Sequence, residues 1–221
     1  LISGNGGPGV DIASSGTAGN TVAYNKIGTN ATDTAALPNT IGVHIRDGAS
    51  GNVIGTRNNS FSNLISGNTG AGILLDGAGT SGNELYANRI GTNMAGAVAL
   101  PNTGNGLTLQ NGADNNYIGD TASGNLISGN AVWGLEISSN GNIVLANRIG
   151  TNGTGLLAVG NAAGLKIGGG AKFRRIPVGA GGNLISGNAQ DAVQLVDQNS
   201  KAIEAVLPAS FCCKAISVHS K

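Results

Sequence analysis

The sequence predicts an all-β solenoid, a stack of coils with three short strands in each. Three observations predict it. The pentapeptide Leu-Ile-Ser-Gly-Asn recurs at Leu1–Asn5, Leu64–Asn68, Leu126–Asn130 and Leu184–Asn188. A sister motif, Ile-Gly-Thr-Asn, falls between the copies at Ile27–Asn30, Ile90–Asn93 and Ile149–Asn152. Between the motifs, short runs alternate aliphatic and polar residues. Self-similarity at a regular period marks units that cannot bury their apolar side alone and must stack on their neighbours.

The first strand of each coil carries the clearest alternation, as a strand with one buried face should. Its inward columns are Val10, Val43, Ile73, Leu107, Leu135, Leu165 and Val193, then two residues on Ile12, Ile45, Leu75, Leu109, Ile137, Ile167 and Leu195. The second strand follows a Gly-Asn or Asn turn, with Val22, Ile54, Leu85, Ile118, Val144 and Ile176 inward. The third strand supplies an all-isoleucine column: Ile2, Ile27, Ile65, Ile90, Ile127, Ile149 and Ile185. Successive first strands lie 28 to 34 residues apart, and the segments between them are rich in Gly, Asn, Ala and Thr. That leaves no room for a crossover helix, so each strand should pair in parallel with its equivalent one coil later, ~4.8 Å away. About seven coils give an axis of roughly 34 Å. Long and short coils alternate, the long ones carrying excursions at Ala35–Asn39 and Ala97–Asn102.

A second uniform column follows the isoleucines: Asn5, Asn30, Asn68, Asn93, Asn130, Asn152 and Asn188. At a coil corner an Asn tolerates left-handed dihedrals, and its amide can donate to one neighbouring Asn and accept from the other. The column therefore reads as a structural ladder in preference to a binding array.

Composition agrees. The chain of 221 residues holds 39 Gly and 10% charged residues, yet 40% is hydrophobic, which separates it from disordered Gly-rich chains and from collagen. Aromatics are 3%, so the core must be aliphatic. A net charge of +1 gives no electrostatic reason to expect nucleic acid as a partner. No run of about 18 apolar residues is present, so membrane insertion is not expected. Cys212 and Cys213 are adjacent and outside the repeat, a spacing too strained for a mutual disulfide. The chain opens within a repeat and without Met, as a fragment or processed product would. An uncapped coil end exposes strand edges and favours self-association.

The succession Gly-Ile/Leu-x-Ile/Leu, Asn-x-Ile/Val, then Asn-Arg-Ile-Gly-Thr-Asn or Asn-Leu-Ile-Ser-Gly-Asn resembles the right-handed parallel β-helix repeats of the pectate-lyase-like superfamily. More narrowly it is similar to repeats in large secreted or surface bacterial proteins. The resemblance covers about Leu1 to Val196. It implies a right-handed parallel β-helix over residues 1–197, an extracellular or cell-surface location and polysaccharide as partner. Residues 198–221 form a non-repeat tail, in which 200–207 can make a short helix before Pro208. Within the repeat, Phe173-Arg174-Arg175-Ile176-Pro177 departs from the Asn-rich turn seen elsewhere.

On a solenoid, chemistry belongs to outward positions where coils differ. Asp11, His44, Arg46, Asp47 and Asp76 occupy three consecutive coils, with Asp11 stacked beside His44 and Arg46 beside Asp76. Two carboxylates at such separations suit glycosidic hydrolysis, and an arginine beside them suits proton abstraction next to a uronate. The reading preferred for the same constellation is cross-strand charge pairing on an exposed sheet, worth roughly 0.2–1 kcal/mol per pair. Asp11, His44, Arg46 and Asp76 are thus the candidate catalytic set. Asp47, Glu136, Lys166, Arg174 and Arg175 are the candidate substrate contacts; the last three with Lys172 form a basic patch, read as a solvated surface in preference to a site for an acidic polysaccharide. Trp133, placed on a coil edge just before Leu135, with Tyr86 and Tyr117 outward on the second strand, either offers aromatic surface to a sugar or covers a corner.

Against an enzyme stand missing signatures. The polygalacturonase motifs, an acidic run suited to a calcium site and a Gly-x-Ser-x-Gly elbow are absent, and the Gly-Gly-x-Gly-x-Asp pattern of calcium-binding β-rolls occurs once, at Gly6–Asp11, with no repeated array. Two histidines, His44 and His219, make no ligand cluster, so neither metal nor other cofactor is expected. A non-catalytic carbohydrate-associating, structural or adhesive segment and a polysaccharide lyase or glycoside hydrolase both remain open.

Overall fold

The computed structural model describes residues 1–57, 63–168, 182–196 and 216–218, the last as backbone alone. It is all-β, with no helix among the described residues. Three parallel sheets form the sides of a β-solenoid. The first contains Val10–Ala13, Val43–Arg46, Ile73–Asp76, Leu107–Gln110, Trp133–Ile137, Ala163–Gly168, Val193–Val196 and Ile216–Val218 in that spatial order. The second runs from Thr21–Val22 to Ile143–Val144, and the third from Lys26–Ile27 to Leu184–Ile185.

Pairing follows the predicted columns. Val10, Val43, Ile73, Leu107, Leu135, Leu165 and Val193 are register partners in turn. Ile27, Ile65, Ile90, Ile127, Ile149 and Ile185 follow suit, with Ile2 bridged to Ile27. These side chains form one aliphatic core, most of them fully buried. Each such Ile or Leu contributes roughly 1.5–3 kcal/mol of burial, less the entropy of ordering it. The turns number about six rather than seven, because seven isoleucine stations bound six complete turns. Ile176, the 173–177 departure and the 200–207 helix lie outside the described residues. Near the chain end, Ile216–Val218 pairs in parallel with Val193–Leu195.

The asparagine column needs correction. Asn30, Asn93 and Asn152 are not ladder members. The ladder runs Asn5, Asn39, Asn68, Asn102, Asn130, Asn161, Asn188, each Nδ2 donating to the next Oδ1 at 2.8–3.0 Å. In each long coil the chain leaves at the first Asn, makes a hairpin excursion, and a later Asn takes the corner. The displaced residues cap the excursion instead. Asn93 Oδ1 accepts from the backbone N–H of Ala97 and Val98 at 3.0 and 3.2 Å, and Asn30 and Asn152 do the same in their coils. The excursions therefore begin at Asn30 and Asn93, earlier than the Ala35 and Ala97 starts expected.

Two further ladders occupy the other corners: Asn20–Asn52–Asn83–Asn116–Asn142 and Asn25–Asn63–Asn88–Asn125–Asn147–Asn183. Nearly all of their inner members are fully buried, so satisfaction of every amide matters. The ladder asparagines do not take left-handed dihedrals. At several corners a positive φ falls one residue earlier, at Gly67, Ala87, Asn115 and Ala146 with φ of 74°, 53°, 57° and 54°. That residue turns the chain, and the Asn after it is then free to point into the corner.

Both repeated motifs now have a reason. In Leu64–Asn68, Ile65 fills the core and Ser66 Oγ accepts from Gly91 N at 3.0 Å while donating to Thr92 O at 2.8 Å. Gly67 takes the positive φ and Asn68 joins the ladder. In Ile90–Asn93, Gly91 has φ +88°, and a Cβ there would strike Asn130 Oδ1 of the next coil. The alternation of the two motifs is thus a lock between adjacent coils.

Candidate functional site

The outward face of the first sheet places Asp11, His44, Arg46 and Asp76 on three adjacent strands, with Asp11 in register with His44 and Arg46 with Asp76. The side chains choose other partners. Arg46 reaches diagonally to Asp11, Nε to Oδ1 and Nη2 to Oδ2 at 3.0 Å each, a bidentate fork. It also bonds Asp47. Asp76 turns away and accepts from Asn111 Nδ2 at 2.7 Å. Arg46 and Asp76 are therefore backbone neighbours in register whose side chains are engaged elsewhere, Arg46 by Asp11 and Asp47 and Asp76 by Asn111.

The electrostatics follow. The hydrogen bonds from Arg46 hold the Asp11 carboxyl below its ordinary value, against the opposing effect of burial, with charge attraction from Arg46 and His44 adding to the fall. His44 is mostly covered, and Nδ1 lies 4.0 Å from Asp11 Oδ1. Its Nε2 is buried and has no hydrogen-bond partner. Burial lowers its pKa, partly offset by Asp11. A neutral imidazole beside an ionised carboxylate results.

A second group forms farther along the same sheet. Glu136 and Lys166 are register partners and pair at 2.7 Å. Glu136 Oε2 also accepts from Asn105 Nδ2 at 2.7 Å, and Asn105 Oδ1 accepts from Trp133 N at 3.1 Å. Lys166 Nζ sits 6.0 Å from the centre of the Trp133 ring, at the outer limit of cation–π range. Trp133 opens the strand Trp133–Ile137, so it stands within the sheet rather than at a coil edge. Asn105 was not foreseen, since it belongs to a turn and to no column.

Tyr86 departs from expectation. It is 2% exposed, its hydroxyl accepts from Arg57 Nη2 at 3.1 Å, and the guanidinium carbon lies 4.9 Å from the ring centre. Burial pushes its pKa up to about 12. A covered ring cannot stack on a sugar, so Tyr86 leaves the aromatic surface, while Tyr117 is half-buried. Lys172, Arg174 and Arg175 lie outside the described residues, as do His219, Cys212 and Cys213.

Among the described residues no group of three His, Cys, Asp or Glu is placed to hold a metal ion, and no helix is long and apolar enough to cross a membrane. Comparison with family models, with curated protein sequences and with solved structures finds no match.

Proposed function

We propose that this chain is a non-catalytic β-solenoid segment of a secreted or cell-surface protein, and that its first-sheet face associates with carbohydrate. The observation that carries the reading is the Arg46–Asp11 fork. A glycosidase needs a carboxylic acid with its pKa raised so that it can protonate the leaving oxygen. Arg46 holds both oxygens of Asp11 and drives its pKa the other way. The carbohydrate part is supported by Trp133 beside Asn105, Glu136 and Lys166: an apolar ring edged by fixed polar groups is the chemistry that holds a sugar ring.

Affinity electrophoresis through gels containing acidic or neutral polysaccharides tests this. Retardation by at least one glycan, lost in Trp133→Ala and weakened in Lys166→Ala, is the expected outcome. Equal mobility in every gel would sink the carbohydrate association and leave a purely structural or adhesive segment.

One observation favours a second reading, a polysaccharide lyase or glycoside hydrolase. His44 Nε2 is buried without a partner next to Asp11, and Asp76 is not engaged by Arg46. Under that reading substrate would bond Nε2 and Asp76 would act as base or nucleophile. Release of new reducing ends or of unsaturated uronates, abolished in Asp76→Ala with the fold intact, would replace the non-catalytic reading.

A further inference from the structure

Asparagine followed by glycine is the step at which a polypeptide most readily attacks itself, because glycine presents its backbone nitrogen without a shielding Cβ. Five such steps occur among the described residues: Asn5–Gly6, Asn105–Gly106, Asn111–Gly112, Asn140–Gly141 and Asn152–Gly153. The fold treats them unequally.

At Asn105 the nitrogen that would attack, Gly106 N, donates to Trp133 O at 2.8 Å, and both ends of the Asn105 amide are engaged. At Asn152, Gly153 N donates to Gly96 O at 3.2 Å and Oδ1 accepts from Leu156 and Leu157. Asn5 and Asn111 each have their amide held by one side chain, Asn39 and Asp76, at 2.8 and 2.7 Å. Asn140 differs from all four. It is exposed, its side chain makes no hydrogen bond among the described residues, and Gly141 N donates none either.

The ladders show the opposite design. The residue after each inner ladder asparagine donates its N–H to the carbonyl of the preceding ladder member. Val53 N to Asn20 O, Glu84 N to Asn52 O and Tyr117 N to Asn83 O span 2.8–2.9 Å, and Leu64, Arg89 and Leu126 repeat the pattern at the next corner. Each amide and its potential attacker are held at once.

We infer that Asn140 is a site of spontaneous, self-catalysed deamidation and the position where the folded chain is modified first. Gly141 N attacks Asn140 Cγ, an N–Cγ bond forms, and the Cγ–Nδ2 bond breaks. Ammonia leaves carrying the proton lost from the backbone nitrogen, and a five-membered succinimide remains. Water adds to either ring carbonyl and opens it to aspartate or to isoaspartate; nothing is oxidised or reduced. The product sits beside Asp114, whose Oδ1 already accepts from Asn140 N at 2.7 Å, so two carboxylates meet at one corner. The isoaspartate form also adds a backbone carbon two residues before Asn142, the last member of its ladder among the described residues. Deamidation thus delivers a negative charge and a longer turn to one corner.

Incubation of the intact chain in mildly alkaline buffer made with heavy-oxygen water, followed by peptide mapping, reads each site. Label should enter Asn140 about tenfold or more faster than Asn105 or Asn152, the factor that one hydrogen bond broken before attack supplies. Asn111 and Asn5 should fall between. In urea the five steps should converge. Asn140→Gln, an exposed change that leaves the fold intact, should abolish the first acidic isoform in isoelectric focusing. Equal rates at Asn140 and Asn105 in the folded chain, or an unlabelled Asn140 that reacts only in urea, would overturn the assignment.

Discussion

Asn68 gives both its backbone N–H and its side-chain amide to one acceptor, Asn102 Oδ1, at 3.1 and 2.9 Å. Asn102 in turn donates to Asn130 Oδ1 and to Ile65 O, at 2.9 and 3.0 Å. One side chain thus satisfies buried groups from the coils on either side of its own. Asn102→Ala should destabilise the chain by about 2–4 kcal/mol, since several buried polar groups lose their partner at once. Asn93→Ala removes only an excursion cap at the protein surface and should cost about 0.5–1 kcal/mol, as lost caps do. Urea midpoints of the two variants check the order, which the sequence column, holding Asn93 and not Asn102, would reverse.

Those asparagines show how far the sequence could be read. The inward columns were legible because a parallel solenoid repeats its environment, so an isoleucine at Ile27 predicts one at Ile65 and Ile90. The ladder was legible as a residue type and misplaced at Asn30, Asn93 and Asn152, because local spacing cannot reveal that a hairpin leaves the coil there and returns before the corner. The two other ladders were visible as Asn-x-apolar turns but had no motif as uniform as Ile-Ser-Gly-Asn. At the candidate site, strand register was predictable and side-chain direction was not. Arg46 has carboxylates on both sides, and the choice of Asp11 over Asp76 is a matter of side-chain direction that no periodicity encodes.

Leu126 and Leu156 are both aliphatic residues at outward positions, yet 7% and 84% exposed respectively. The excursion from the preceding long coil covers Leu126: a Cβ added at Gly96 would lie 2.6 Å from its Cδ2. Leu126→Ala should therefore cost about 2–4 kcal/mol, and Leu156→Ala should lie within about 0.5 kcal/mol of the parent. Thermal or urea unfolding of the pair measures it. Equal losses would mean that the excursion covers both or neither.

Ala146 holds a left-handed φ of 54° in the position that Gly129 and Gly187 fill at another corner with φ of 75° and 73°. A left-handed conformation costs an L-residue with a Cβ roughly 1–2 kcal/mol, which glycine avoids. Glycine also loses more freedom on folding, which offsets part of the gain. Ala146→Gly should stabilise the chain by about 0.5–1 kcal/mol, read as a higher urea midpoint with an unchanged slope. A lower midpoint would mean that the Ala146 methyl packs favourably enough to outweigh its backbone strain.

His44 offers a pH-dependent test of the first-sheet face. Its ring is largely covered, its Nε2 lacks a partner, and Leu74 occupies the same column one coil later. The surrounding charges are Asp11, Arg46, Asp76 and Asp47, and burial outweighs the attraction of the carboxylates, so the folded-state pKa lies below the ordinary 6.5. The unfolded chain then binds the proton first. Stability is complete above about pH 6.5, falls as pH drops below that value, and levels off once the folded-state pKa is passed. His44→Leu removes both the orphaned nitrogen and the proton linkage. The variant should exceed the parent by about 1–3 kcal/mol at neutral pH, and the gap should widen toward about pH 5. The acid loss tied to Asp11, whose pKa lies below 3.8, should persist in both proteins. Urea midpoints across that range decide the matter. A gap that narrows with acid would show that the carboxylates, rather than burial, control the imidazole.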